Sequence, residues 1–253
     1  MKLACVKSSS ALAEEGYEIL SQKYQFVNPD EAEAIVVLGG DGMLLHTIHE
    51  FRHLNVPFYG MNRGTVGFLM NSFETSNLAN LVSEAKHEKL LPLRMRVVDT
   101  AGEEFEAIAF NEVSMIRYSG QSANLRVSVD SRVRIPKLIC DGILVSTPAG
   151  STAYNLSAHG PIVPLGANVL AMTPVSPFRP RRWKGALLPH ASQILIENLD
   201  AKKRPVGVSA DSFEVKNAVT VEIVEDPSSA VSVLFDASHS LEERIFSEQF
   251  ANG

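Results

Sequence analysis

The sequence predicts an open, Rossmann-like α/β domain followed by a β-rich, sandwich-like domain, with a C-terminal helix returning to the first domain. Three observations predict this fold class. The first part of the chain alternates apolar strands with amphipathic helices. From residue 93 onward, short alternating strands separated by turn residues replace the helical spacing. Helical spacing then returns over 240–250. The predicted domains are therefore 1–92 with 237–253, and 93–236.

The elements of the first domain follow from its hydrophobic pattern. Strands are predicted at 2–7, 34–38 and 56–60, and helices at 11–24, 43–53 and 76–89. The run 34–38 is apolar on both faces, which is typical of a central parallel strand. Such a strand–helix order favours right-handed crossovers around one sheet.

The elements of the second domain are short runs in which apolar and polar residues alternate. They are 93–98, 105–110, 125–129, 133–135, 143–146, 169–172, 194–198, 205–210, 219–224 and 231–235. Many short strands with few helices indicate a β-rich domain. Beyond them, Ser240 and Glu243 fit a capping box at the start of the final helix.

Composition limits the classes of partner. The chain has 253 residues, 45% of them apolar, and a net charge of −6. Its one basic cluster, at 179–184, is short, so we expect no nucleic-acid partner. Cys5 and Cys140 lie in apolar runs, which predicts buried free thiols rather than a disulfide or a zinc site. No apolar run is long enough for a membrane span, and we expect a cytoplasmic protein.

The most informative local pattern is the turn Gly39-Gly40-Asp41-Gly42, which follows the buried strand 34–38 directly. Ligands bind beyond the carboxyl ends of strands in open α/β sheets, and the next helix offers its N-terminal amides to phosphate. The glycines of this phosphate loop allow positive φ and a close approach of the backbone. Asp41 could then accept a proton from an attacking hydroxyl or hold magnesium. A tight turn in which Asp41 caps the helix is the alternative.

A second pattern, His46, His49 and His53, has the spacing of one helix face. No carboxylate or cysteine completes a familiar ligand set, so we expect an exposed or partly packed helix face and no structural metal.

Three further segments accompany the turn, in order along the chain. They are Gly60 to Leu69, the pair Asn111-Glu112, and the run from Asp141-Gly142 through Ser146-Thr147-Pro148-Ala149-Gly150-Ser151-Thr152-Ala153-Tyr154. Together with the Gly-Gly-Asp-Gly turn they resemble the NAD kinase family over nearly the whole chain. The turn alone is shared with lipid kinases and phosphofructokinases.

The resemblance implies a reaction and its residues. Asp41 would be the general base that activates the 2′-hydroxyl of the adenosine ribose of NAD, and Asn111 and Glu112 would hold NAD by hydrogen bonds. Asp211 would be a possible metal or ligand contact near the nicotinamide end. The NAD-binding set implied by the resemblance is Asp41, Gly42, His46, Asn111, Glu112, Asp141, Ala149, Thr152, Ala153, Tyr154, Asn155, Leu156, Ser157 and Val175.

The resemblance also implies NAD and ATP as substrates, a divalent metal cation with Mg²⁺ as the first expectation, and a homodimer or homotetramer. Two positions depart from the family pattern. Met43 stands where the family often has Thr, and His46 where many members have Lys or Arg. A lipid or sugar kinase, or a dinucleotide sensor without catalysis, are the competing hypotheses. A lipid or sugar kinase would not need the Asn-Glu pair or the long Ser-Thr-Pro run. The presence of Asp41 argues against a sensor without catalysis.

Overall fold

The computed structural model describes residues 1–64 and 67–236. The chain forms two compact units. One contains the described residues up to Leu90 together with 229–236, and the other spans 91–228. The predicted C-terminal helix at 240–250 lies outside the described residues.

The first unit is built on a five-stranded sheet. Its strands are β1 (Leu3–Lys7), β2 (Ala34–Gly39), β3 (Phe58–Asn62), β4 (Lys86–Leu90) and β17 (Val231–Phe235), in the spatial order β1-β2-β3-β17-β4. Strands β1, β2 and β3 are parallel, and β2 is buried along its entire length. Its helices are α1 (Ala11–Ser21), α2 (Asp41–Phe51) and α3 (Leu78–Glu84). The α/β prediction for this part of the chain is confirmed.

Two predicted elements of the first unit are wrong in type or place. The predicted helix 76–89 ends at Glu84, and β4 follows as a strand antiparallel to β17. The run 231–235 was assigned to the β-rich domain, but β17 lies in the first sheet between β3 and β4. Val233 and Leu234 are buried there, so the strand gains its burial from the first unit. The unit boundaries therefore fall at 90/91 and 228/229 rather than 92/93 and 236/237.

The second unit consists of two six-stranded sheets. One has the order β12-β11-β10-β7-β14-β15, with strands Ala186–Pro189, Val169–Val175, Gly142–Ser146, Glu112–Arg117, Val206–Ala210 and Phe213–Val215. The other has the order β6-β5-β16-β13-β8-β9, with strands Glu104–Ala109, Leu93–Asp99, Ala218–Glu225, Ile194–Asn198, Ala123–Val129 and Arg132–Cys140. All these pairings are antiparallel. The β-rich prediction is confirmed.

The core of the second unit draws on both of its sheets. Val113 and Met115 of β7 and Ile143 of β10 share one buried cluster with Leu125 and Val127 of β8. In β8 the buried Leu125 and Val127 alternate with half-buried residues, as period-two patterning requires, whereas β10 is buried along its entire length. A short helix, α4 (Tyr154–Ser157), follows β10.

The chain has two cysteines, and the structure describes both of them. Cys5 and Cys140 are both free thiols, and burial raises the pKa of each to about 12. None of the helices within 1–64 and 67–236 is long and apolar enough to cross a membrane.

Candidate active site

The Gly-Gly-Asp-Gly turn joins β2 to α2, as the sequence predicts. Limited space, rather than backbone angle, explains the glycine at position 39. In the described chain only Gly102 and Gly185 are glycines with positive φ, so the expected positive φ in the turn is wrong. A Cβ on Gly39 would lie 2.7 Å from Cβ of Met43, whereas a Cβ on Gly40 or Gly42 would meet nothing within 4 Å. The backbone at Gly40 and Gly42 is therefore open to a ligand.

Asp41 is the first residue of α2, but it does not cap that helix. Its Oδ2 accepts the backbone N–H of Phe68 at 2.8 Å, and its Oδ1 accepts that of Leu69 at 2.9 Å. The N-cap is Gly40, which has no side chain to offer. The partners of the Asp41 carboxylate thus belong to a different segment, and they fix its orientation.

The segment after β3 packs against the turn at several points. The Arg63 N–H donates to the Gly39 carbonyl at 2.8 Å. The Arg63 side chain donates to the carbonyl of Leu12 and pairs with Glu15, both of α1. A Cβ on Gly67 would lie 3.1 Å from Oδ1 of Asp41. Glycine at 67 therefore lets this segment approach the carboxylate closely.

In the second unit, Asn111 and Glu112 stand at the start of β7. The Glu112 carboxyl is buried, and its Oε2 has no hydrogen-bond partner within the described chain. Burial, followed by the charge of Asp211, raises the pKa of Glu112 to about 7, and a backbone hydrogen bond from Tyr154 opposes that rise. The adjacent Asn111 is half-buried. Buried polar atoms without partners are rare, so Oε2 of Glu112 offers free bonding capacity for a ligand.

Asp211 lies in the turn between β14 and β15 with a φ of 49°. Its Oδ2 accepts the N–H of Phe110 at 2.7 Å, and its Oδ1 accepts the N–H of Asn111 at 3.0 Å. The resemblance implied a metal or ligand contact for Asp211. These bonds join its carboxylate to the backbone that leads into the Asn-Glu pair.

Asp141 precedes β10 and forms an ion pair with Arg117, the last residue of β7. This hydrogen bond from Nε of Arg117 raises the pKa of the guanidinium. The Asp141 N–H donates to the carbonyl of Val175 at 2.9 Å, which places the end of β11 beside it. Sequence reasoning missed Arg117, because only the antiparallel pairing of β7 with β10 brings the two charges together.

Tyr154, in the segment that follows β10, lies close enough to Glu112 and Asp141 to be affected by their charges. Its side chain is about one-third exposed, at 36%. Burial, and then the charges of Glu112 and Asp141, raise the pKa of its phenol. The structure therefore brings Glu112, Asp141 and Tyr154 together in the second unit, as the resemblance implied.

Asn155 has a different environment from the one predicted. It is completely buried, and its amide donates to the carbonyls of Ser151 and Pro161 at 3.1 and 2.8 Å. Its carbonyl oxygen accepts from Thr173 at 2.7 Å. The side chain predicted to bind NAD is thus used inside the fold, where it ties the loop after β10 to β11.

The other predicted positions differ in exposure. Ala149 is buried, Gly42 and Ser157 are exposed, and Thr152, Ala153, Leu156 and Val175 are half-buried. His46 lies on the exposed face of α2 opposite Glu50, with 3.8 Å between Nε2 and Oε2. In the described parts of the chain no group of three or more His, Cys, Asp or Glu residues could hold a metal ion.

Comparison with known proteins identifies the family to which these features belong. The model of the ATP-NAD kinase N-terminal domain matches residues 6–90, and the model of the ATP-NAD kinase C-terminal domain matches residues 110–234. The NAD kinase of Cereibacter sphaeroides strain ATCC 17029 is 51% identical over 249 residues, which is 98% of each chain. The NAD kinase of Caulobacter vibrioides is 49% identical over 250 residues, covering 99% of this chain and 96% of that one.

Two solved structures share the fold. Yeast NADH kinase, complexed with NADH, superimposes with a TM-score of 0.83 at 21% identity, covering 100% of this chain and 89% of that one. An NAD kinase from Archaeoglobus fulgidus, in complex with ATP, gives a TM-score of 0.77 at 21% identity, with both chains fully covered. At this identity the likeness concerns the architecture of the chain.

Proposed function

Because this chain belongs to the ATP-NAD kinase family, we propose that it makes NADP by moving the terminal phosphoryl group of ATP to the 2′-hydroxyl of the adenosine ribose of NAD. NAD kinase activity is the function carried by relatives of half identity over nearly the full chain. Lipid or sugar phosphorylation and a purely sensory role have no support among these relatives.

The observation that carries the assignment of the NAD site is the buried Oε2 of Glu112, which has no hydrogen-bond partner within the described residues and lies next in sequence to the half-buried Asn111. A carboxylate accepts hydrogen bonds from ribose hydroxyls, and an amide both donates and accepts. A desolvated carboxyl oxygen such as Oε2 of Glu112 discriminates strongly between a ligand that completes its hydrogen bonds and one that does not. We assign Glu112 and Asn111 to NAD, with Tyr154 as an aromatic face beside them.

Asp41 is the proposed general base. In the reaction, the 2′-hydroxyl gives its proton to the Asp41 carboxylate while its oxygen bonds to the terminal phosphorus of ATP. The bond from that phosphorus to the bridging oxygen breaks, and ADP leaves with the electron pair. The N–H groups of Phe68 and Leu69 support this role because they orient the carboxylate before substrate arrives. The open backbone at Gly40 and Gly42 provides room for phosphate.

A divalent cation enters the proposal with ATP, whose triphosphate binds Mg²⁺. The described residues form no cluster able to hold a metal ion, and both oxygens of Asp41 already accept backbone N–H groups. We therefore assign no step to a protein-bound metal. We also propose a cytoplasmic location, and the family resemblance supports the proposal of a homodimer or homotetramer.

The test is an incubation of the protein with NAD, ATP and Mg²⁺, in which NADP is detected through an NADP-specific dehydrogenase. We expect NADP to accumulate with time and enzyme concentration. Parallel reactions with polyphosphate in place of ATP, and with NADH in place of NAD, define the donor and acceptor range. An absence of NADP above the level of a reaction without enzyme would contradict the proposal.

A further inference from the structure

The backbone that leads into the Asn-Glu pair is held by two residues from distant segments. Asp211 accepts the N–H groups of Phe110 and Asn111 at 2.7 and 3.0 Å. Thr147 bonds the carbonyls of the same two residues, through its Oγ1 to Phe110 at 2.7 Å and through its N–H to Asn111 at 2.9 Å. All four backbone polar groups of Phe110-Asn111 are therefore hydrogen-bonded by Asp211 and Thr147, which we call the clamp.

The clamp occupies a place where strand pairing alone does not fix the backbone. Strand β7 begins at Glu112, and its ladder with β10 begins at the pair Glu112 and Ser146. The two preceding residues lie beyond that ladder. A backbone outside a ladder is free to turn unless other groups satisfy its polar atoms. The clamp supplies those groups at the point from which the Asn111 and Glu112 side chains project.

The chemistry of Asp211 suits this task. Its φ of 49° lies in the left-handed region, which Asp and Asn adopt more readily than other side chains. A carboxylate offers an acceptor oxygen to each of two N–H groups at once, and such charged hydrogen bonds are stronger than neutral ones. Asparagine keeps the tolerance for this backbone angle but loses one of the two acceptors. Thr147 is 2% exposed, so its bonds are shielded from water.

We propose that Asp211 and Thr147 are positioning residues of the NAD site, which fix the direction in which Asn111 and Glu112 project without contacting the substrate themselves. The inference rests on the proposed function, because it assigns the purpose of the clamp to NAD binding. It predicts a selective weakening of NAD recognition when either clamp residue is altered.

The first experiment compares Asp211→Asn with a matched control, Asp99→Asn. Asp99 also accepts two backbone N–H groups, those of Ala101 and Glu103 at 2.8 and 2.9 Å, but in the turn between β5 and β6 and both at its Oδ1, an acceptor that asparagine retains. We expect Asp211→Asn to raise KM for NAD by roughly tenfold, with kcat and KM for ATP within about threefold of wild type. Asp99→Asn should leave all three constants unchanged. A large loss of kcat at constant KM for NAD would overturn the proposal.

The second experiment uses the other side of the clamp. Thr147→Val keeps the shape and removes the hydroxyl, and it should also raise KM for NAD. Thr147→Ser keeps the hydroxyl and should restore the wild-type value. Since both clamp residues act on one dipeptide, the double variant should raise KM by clearly less than the product of the single effects. If the two effects on KM for NAD multiply strictly, the proposal that Asp211 and Thr147 act together is wrong. If Asp211→Asn does not fold, Thr147→Val alone tests the proposal.

A measurement without substrate separates the clamp from the proposed function. Amide hydrogen exchange should be faster at Phe110 and Asn111 in Asp211→Asn, by roughly tenfold or more, and unchanged there in Asp99→Asn. If wild type makes no NADP but this exchange pattern is found, the assigned reaction is wrong and the clamp stands. If wild type makes NADP and exchange at these two amides is unaltered, the clamp is wrong.

Discussion

The Oδ1 atom of Asp41 accepts the backbone N–H of Leu69 at 2.9 Å. Together with the bond from Phe68 to Oδ2, it holds the one carboxylate of the glycine turn in a single orientation. A general base must be positioned before it can be useful, because its proton acceptor atom has to lie within hydrogen-bond reach of the substrate hydroxyl. The arrangement thus links a loop after β3 to the chemistry assigned to the start of α2.

Substitution Asp41→Asn tests the base. The amide has almost the shape of the carboxylate but cannot take up a proton at neutral pH. Because general bases contribute about 10²–10⁴-fold to rates, we expect kcat to fall by at least about 10²-fold. NAD binding should persist, since Glu112 and Asn111 belong to the other unit. NADP formation measures the first effect, and calorimetric titration with NAD measures the second.

The control for this substitution is Asp30→Asn, which alters an exposed carboxylate of the same unit. It should change neither kcat nor NAD affinity. Turnover retained in Asp41→Asn would remove the residue from its catalytic role and leave it as a structural partner of Phe68 and Leu69.

The fold could be predicted wherever local pattern and burial agree. Strand β2 is apolar on both faces in the sequence and buried on both faces in the structure, and α2 follows the predicted turn. Strand β17 shows the limit of this reasoning. Its residues indicate a strand correctly, but nothing local identifies β3 and β4 as its partners. Strand β4 is mostly polar because it is an edge strand, and its pattern resembles an exposed helix end.

The candidate site shows the same division. The glycine turn pointed to Asp41, the family resemblance implied Asn111, Glu112, Asp141 and Tyr154, and the structure brings the last three of these together. The sequence did not predict that the Asn155 side chain forms hydrogen bonds with Ser151, Pro161 and Thr173, because those contacts join separate segments. Nor could it reveal the ion-pair partner of Asp141, which depends on strand register.

The raised pKa of Glu112 predicts an unusual pH dependence of stability. Its pKa rises from an ordinary value of 4.5 to about 7 in the folded protein, chiefly because of burial. Between these values the folded state binds a proton that the unfolded state has released, so stability falls as pH rises through this window. The Glu112→Gln variant carries no such charge. Relative to wild type, it should gain about 3 kcal/mol in unfolding free energy between pH 4.5 and 8.

Urea unfolding at the two pH values measures this difference. Glu222→Gln, which removes an exposed carboxylate of β16, serves as the control and should show little pH-dependent gain. An equal gain in both variants would mean that general charge repulsion, rather than the buried carboxyl of Glu112, produces the effect.

Gly150 should tolerate no side chain. A Cβ there would lie 2.2 Å from the carbonyl oxygen of Asn111 and 2.6 Å from its Cα, so the Asn111 backbone would have to move. We expect Gly150→Ala to lose about 1–3 kcal/mol of stability through overpacking and to raise KM for NAD. The control is Gly166→Ala, where a Cβ meets nothing within 4 Å. Denaturant midpoints of the two variants should differ clearly, and equal midpoints would show that the loop at 150 yields easily.

Substitution of Gly42 by alanine should raise stability and lower activity. It is the second residue of α2, and a Cβ there meets no atom within 4 Å. Alanine favours the helix over glycine, so Gly42→Ala should gain up to about 1 kcal/mol in unfolding free energy. Its methyl group would nevertheless occupy the open backbone surface assigned to the substrates. We therefore expect kcat/KM to fall by roughly tenfold or more, while Gly166→Ala changes neither quantity. Full activity in a stabilised Gly42→Ala protein would show that the substrates do not approach the chain at this residue.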